Sequence, residues 1–139
     1  MAKDVFHNLV KEALIKEGWI ITHDPYSFNK WDPEWEIDLG AEKIIAAKKA
    51  NRKIAVEVKS FLATSFAYEF HQVLGQYMNY RLNLNLIEKE RVLYLAVPAR
   101  IWKTDFQRKG IKVSIEGLKV KIIVYNIDSK IIEQWINYK

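Results

Sequence analysis

The chain of 139 residues contains no cysteine, so neither a disulfide framework nor a thiolate metal centre is open to it. Its three histidines, His7, His23 and His71, lack the spacing of a zinc site, which leaves oxygen as the main ligand for any metal. Three prolines and five glycines form no linker, and no low-complexity tract interrupts the sequence. Nor is there a run of eighteen apolar residues, and Met1-Ala2-Lys3-Asp4-Val5 leads into an amphipathic segment rather than a signal-peptide core. A cytoplasmic protein without membrane contact is therefore expected. With half of its residues hydrophobic, the chain is sized for one domain over residues 1–139 with a substantial core.

The formal charge is +5, which suits a polyanionic partner through counterion release from phosphates, although an excess of this size also occurs in proteins that touch no nucleic acid. Cations gather at Lys43, Lys48, Lys49, Arg52, Lys53 and Lys59, and again at Lys103, Arg108, Lys109, Lys112, Lys119 and Lys121. Solvated hairpin surfaces are the plain alternative for both groups.

Chemistry concentrates in Asp38 and in Glu57-Val58-Lys59. Ile54, Val56 and Val58 alternate with Ala55, Glu57 and Lys59 at the two-residue period of a strand, so Glu57 and Lys59 share a sheet face. Two carboxylates can hold magnesium or manganese while phosphate and water fill the remaining positions, and the lysine can position or deprotonate the attacking water. That arrangement points to phosphodiester cleavage and makes DNA the partner to test. The bland reading is two opposite charges side by side on a half-exposed antiparallel strand.

The pattern predicts a helix from a cap at Asp4 to about Gly18, with Phe6, Leu9, Val10, Ala13 and Leu14 on its buried side. Short strands follow at Trp19–Thr22 and Trp35–Leu39, separated by an aromatic loop, then strands at Lys43–Lys48 and Lys53–Ser60 that make an antiparallel meander. Ser65 to about Leu86 carries a helical apolar stripe, and Arg91–Val97 reads as a strand covered on both faces, parallel to its partner after the crossover. A short helix near Ala99–Phe106 and strands at Ile111–Ile115, Lys119–Asn126 and Lys130–Ile136 complete the expectation.

The order helix, β-meander, helix, strand, with Asp38 on the meander and Glu57 and Lys59 on the strand before the long helix, resembles the restriction-endonuclease-like PD-(D/E)xK superfamily over roughly residues 1–97. The resemblance implies an α/β (α+β-like) mixed sheet with extra C-terminal strands, and catalytic roles for Asp38, Glu57 and Lys59. Ile37 stands where the superfamily has proline. Gln72, Gln76 and Tyr80, four apart on the long helix, form a ridge that could aim amides at the lysine, a water or a phosphate, and several nuclease branches of the superfamily carry a similar Gln and Tyr pair after the Glu-x-Lys strand. Flanking the core stripe is their alternative role. Many members also place a helix carboxylate near the metal, here Glu12, which otherwise salt-bridges Lys11 or Lys16. His7 could touch phosphate or be a half-buried histidine near the helix start, and His23 and Asp24 could reach toward Asp38 or simply form the turn before Pro25. Trp19, Trp35 and Trp135 read as core anchors, leaving Tyr26, Trp31 and Trp102 for base stacking.

Asp4-Val5-Phe6-His7, Gly18-Trp19, Thr22-His23-Asp24-Pro25, Ile54–Phe61 and Leu74-Gly75-Gln76-Tyr77 together resemble the XisH family of element excision controlling factors, over nearly the whole chain. The resemblance implies programmed DNA excision alongside a site-specific recombinase and a small XisI-type controlling factor. Three function classes follow: a metal-dependent nuclease, a non-catalytic accessory protein that uses the nuclease fold to bind DNA or the recombinase, and a toxin- or restriction-like nuclease controlled by a small partner. A homodimer stays open, because Leu82–Leu86 and the C-terminal strand could serve an interface.

Overall fold

Alternation along Ile54, Val56 and Val58 places these side chains on one face of a six-stranded sheet in the computed structural model, which describes residues 2–26 and 44–138 (backbone alone for 2–4). In chain order the elements are α1 (Ala2–Lys16), β1 (Ile20–His23), β2 (Ile44–Lys49), β3 (Arg52–Val58), α2 (Phe66–Ile87), β4 (Arg91–Pro98), α3 (Ala99–Lys103), a 3-10 turn (Asp105–Gln107), α4 (Lys109–Gly117), β5 (Ile122–Asn126) and β6 (Ile131–Ile136). The strands lie side by side in sequence order. Antiparallel pairing joins β1 to β2, β2 to β3 and β5 to β6, whereas β3, β4 and β5 run parallel. The expected order of helix, meander, helix and parallel strand is thus present in a mixed α+β sheet. The expected strand at Trp35–Leu39 lies outside the described residues.

Two apolar layers sandwich the sheet. On one face Val10, Ala13, Leu14 and Trp19 pack on Ile45, Ala47, Ile54, Val56 and Val58, and Trp19 stacks on Trp135 with ring centroids 5.7 Å apart. On the other, Phe70, Val73, Tyr77 and Leu84 of α2 join Ala55, Leu93, Leu95 and Val97 and residues of α3 and α4. Ser65 starts α2 because its extended backbone lets the hydroxyl accept from the Tyr68 amide at 3.3 Å. Each large apolar side chain buried in these layers contributes about 1.5–3 kcal/mol. Fully buried Tyr77 keeps its hydroxyl satisfied by donating to the Leu93 carbonyl at 2.9 Å and accepting from the Lys121 amide at 3.1 Å.

Three expectations need correction. The predicted strand at Ile111–Ile115 is helix α4: Ile111, Val113 and Ile115 fit both periods, but only a helix buries Ile115, half-buries Ile111 and leaves Val113 62% exposed. Helix α1 begins at Ala2, so Asp4 lies inside it instead of capping it. Tyr26 is buried and hydrogen-bonded to Glu88, hence not a stacking surface, while Trp102 is half-buried against Phe106. Among the described residues no helix is long and apolar enough to cross a membrane.

Near the start of β3 and β4 sits an ionic knot. Arg91 is 5% exposed; it donates to Glu88 at 2.7 Å and 3.0 Å and to the Ile54 carbonyl at 2.9 Å, and its guanidinium lies 4.9 Å from the centre of the Tyr26 ring. Hydrogen bonding from Arg91 holds the Glu88 carboxyl down at about 2 against the effect of burial, with the Tyr26 hydroxyl and Lys53 assisting. Burial and the adjoining Glu88 charge push the Tyr26 hydroxyl up to about 12. Because the folded Glu88 titrates below its ordinary value of 4.5, its contribution to stability is complete above that value and disappears as pH falls toward about 2. Urea unfolding of wild type and Glu88→Gln from pH 7 to pH 2 is expected to show a wild-type advantage that shrinks across this window. A constant difference between the two proteins would refute the assignment.

Candidate functional site

Lys59 follows the last residue of β3 and still belongs to the sheet, its amide donating to the Ala96 carbonyl of β4 at 3.0 Å. From β5, the Tyr125 hydroxyl donates to the Lys59 carbonyl at 2.9 Å. Both backbone groups of Lys59 are therefore fixed before its side chain makes any contact. The chain then turns through Phe61, whose φ of +56° is strained for a bulky residue and is held by ring packing on Phe66 at 5.3 Å and Phe106 at 5.5 Å. That turn redirects the chain into α2, above the sheet.

Glu57 and Lys59 point to the α2 face, as the strand phase requires. The Lys59 amine donates to Gln76 Oε1 at 2.9 Å and lies 3.9 Å from Glu57 Oε2. Glu57 is 1% exposed and Lys59 5%, so they are not the surface charge pair of the bland reading. Exclusion of water strengthens the attraction between them and makes the removal of either partner costly. Burial pushes the neighbouring Tyr77 hydroxyl up, the Glu57 charge adding to this while the Lys121 amide and Arg81 oppose it. The cluster lies at the carboxyl ends of the parallel strands β3 and β4, where open sheets with crossover helices form ligand crevices.

Asp38, the second expected carboxylate, lies outside the described residues. Gln72 is exposed and donates to the Tyr68 hydroxyl at 3.2 Å instead of joining Gln76. Tyr80, one turn beyond Gln76, is half-buried against the core on that face. Glu12 is exposed on α1, the helix packed on the opposite sheet face, so the structure does not bring it to Glu57. His7 and Asp24 meet each other: His7 Nε2 is 2.8 Å from Asp24 Oδ1, and the Lys11 amine is 3.0 Å from Asp24 Oδ2. Burial works against the Asp24 charge, but bonds from Lys11 and His7 outweigh it and lower the pKa. His23 is exposed, 3.0 Å from the Thr22 hydroxyl, with its ring edge-on to Tyr26. Sequence reasoning missed Tyr125, 66 residues from Lys59 and marked by no motif.

Glu57 supplies the hard oxygen that magnesium or manganese prefers, so the donor chemistry fits such an ion. Among the described residues no three His, Cys, Asp or Glu side chains are gathered, so the ion would also need Asp38 and the oxygens of water and phosphate.

A family model described as XisH protein matches residues 1–133. The crystal structure of an XisH family protein from Nostoc punctiforme PCC 73102 is 46% identical, with a TM-score of 0.84 over 96% of this chain and 99% of that one. That of an fdxN element excision controlling factor protein from Anabaena variabilis is 47% identical, with a TM-score of 0.85 over 96% of this chain and 99% of that one. No curated protein matches the chain.

Proposed function

This chain belongs to the XisH family of element excision controlling factors, and from that premise we propose that it binds DNA and cleaves phosphodiester bonds at a metal-dependent site of PD-(D/E)xK type. The observation that carries this reading is the buried Glu57 and Lys59 pair, with half-buried Gln76 bonded to the amine, at the carboxyl ends of two parallel strands. Glu57 and Asp38 are the residues that would hold magnesium or manganese. When bound, the ion neutralises phosphate charge and lowers the pKa of a coordinated water. Gln76 fixes the Lys59 amine, and Lys59 orients the attacking water and meets the charge developing on the phosphate. A site-specific recombinase and a small XisI-type protein are the partners of this reading.

Burial favours a second reading. With Glu57 and Lys59 at 1% and 5% exposure, the cluster as it stands is shielded from a DNA strand, which suits an accessory protein that keeps the nuclease fold for binding or a nuclease opened by its partner. The test is cleavage of linear, supercoiled and branched DNA with magnesium or manganese, alone and with the small partner, beside excision assays in cells. Metal-dependent cutting that Glu57→Ala removes supports the nuclease. No cutting of any form, together with normal excision by Glu57→Ala, selects the accessory role.

A further inference from the structure

The positive charge of this protein is not spread over it. Residues 99–121 carry seven lysines and arginines against two acids, a net of +5 that equals the charge of the whole chain, so the remainder is neutral. The structure turns this segment into α3, the 3-10 turn and α4, which start at the carboxyl end of β4 directly after Pro98. Ala99, Ile101, Phe106 and Ile115 anchor it in the core on the α2 face. Arg100, Lys103, Arg108, Lys109 and Lys112 remain exposed.

Among the described residues few of these charges meet an acid, and Lys121 donates to the Tyr138 carbonyl at 3.1 Å. Lys103 pairs with Glu133 at 3.5 Å and Arg108 with Asp105 at 3.5 Å, whereas the first turn of α4 holds Lys109 and Lys112 without an acidic residue. Cations in the first turn oppose the helix dipole, so this placement disfavours α4 in the absence of an anion. Phe106, at the root of the segment, packs at 5.5 Å on Phe61, in the turn that leaves Lys59, and at 5.6 Å on Phe66, the first residue of α2. The basic surface and the Glu57 and Lys59 cluster consequently share one end of the sheet.

We propose that the exposed face of α3 and α4 is the surface that holds the phosphate backbone of duplex DNA, with Arg100, Lys109 and Lys112 as its main contacts. This rests on the reading that the protein acts on DNA, but not on cleavage. Contacts of this kind are independent of sequence and position the duplex at the adjoining site.

The test is anisotropy of a labelled random-sequence duplex with the full chain in EDTA, at several salt concentrations. Arg100→Gln/Lys109→Gln/Lys112→Gln is compared with Lys16→Gln/Lys89→Gln/Lys130→Gln, which removes the same charge from exposed positions elsewhere, after circular dichroism has shown that both fold. The arm variant is expected to lose about 0.9 from the slope of log affinity against log salt per contact, close to 3 in all, while the control changes little. Equal loss in both variants, no loss in the arm variant, or competition by polyglutamate as effective as that by duplex overturns the proposal. Cleavage is scored separately with metal. A wild type that cuts beside an arm variant that binds normally defeats the arm alone, whereas arm-dependent binding without cutting defeats only the nuclease.

Discussion

Glu57→Gln is expected to slow metal-dependent DNA cleavage by about a hundredfold or more while leaving duplex affinity intact. Glutamine keeps the volume of the 1% exposed side chain but removes the charge that would hold the ion. Loss of a negative charge also eases repulsion of phosphate, so affinity should hold or rise slightly. Lys59→Gln differs in sign on the second measure: it removes the cation hydrogen-bonded to Gln76 and should weaken both cutting and binding. Single-turnover cleavage and anisotropy on the same preparations separate the two effects. Each variant leaves one buried charge without its partner 3.9 Å away, so a thermal melt must show that the protein remains folded at the assay temperature. An unchanged cleavage rate in Glu57→Gln removes Glu57 from the chemistry.

The site half of this reading was legible in the chain because strand phase is a local property. Ile54, Val56 and Val58 on one side force Glu57 and Lys59 to the other, and helical spacing carried Gln76 to them across 17 residues. The face on which α1 packs was not legible. Val10, Ala13 and Leu14 say which side of that helix is buried, but nothing in their spacing says which face of the sheet receives it, and Glu12 was accordingly expected at a site on the opposite face. Helix α4 was misread for a related reason, since apolar residues at Ile111, Val113 and Ile115 satisfy both periods and only the exposure of Val113 separates them. Tyr125 and Arg91 act through backbone carbonyls of distant strands, and contacts to carbonyls leave no trace in residue type.

Arg91→Ala is expected to be the most damaging change to stability, at about 3–5 kcal/mol, with function per folded molecule unchanged. Arg91 satisfies three groups at once: both Glu88 oxygens, the Ile54 carbonyl and the face of Tyr26. Its loss leaves Glu88 with Lys53 at 3.5 Å and the Tyr26 hydroxyl at 2.6 Å, neither of which replaces the paired bonds. Tyr26 also ties this knot to β2, because its amide donates to the Ile44 carbonyl at 2.7 Å and Ile44 lies opposite Glu57 in the sheet. The knot thus links β2, β3 and β4 through Ile44, Ile54 and Arg91. A double-mutant cycle with Tyr26→Phe, read by urea denaturation, should give a coupling of about 0.5–3 kcal/mol, as expected for residues sharing one network. Duplex affinity well below the melting temperature should match wild type, since Arg91 loss changes the population of folded molecules rather than the Glu57, Lys59 and Gln76 geometry. A variant that melts normally shows the network to be dispensable, and one that melts normally but binds DNA poorly places Arg91 in the binding surface instead.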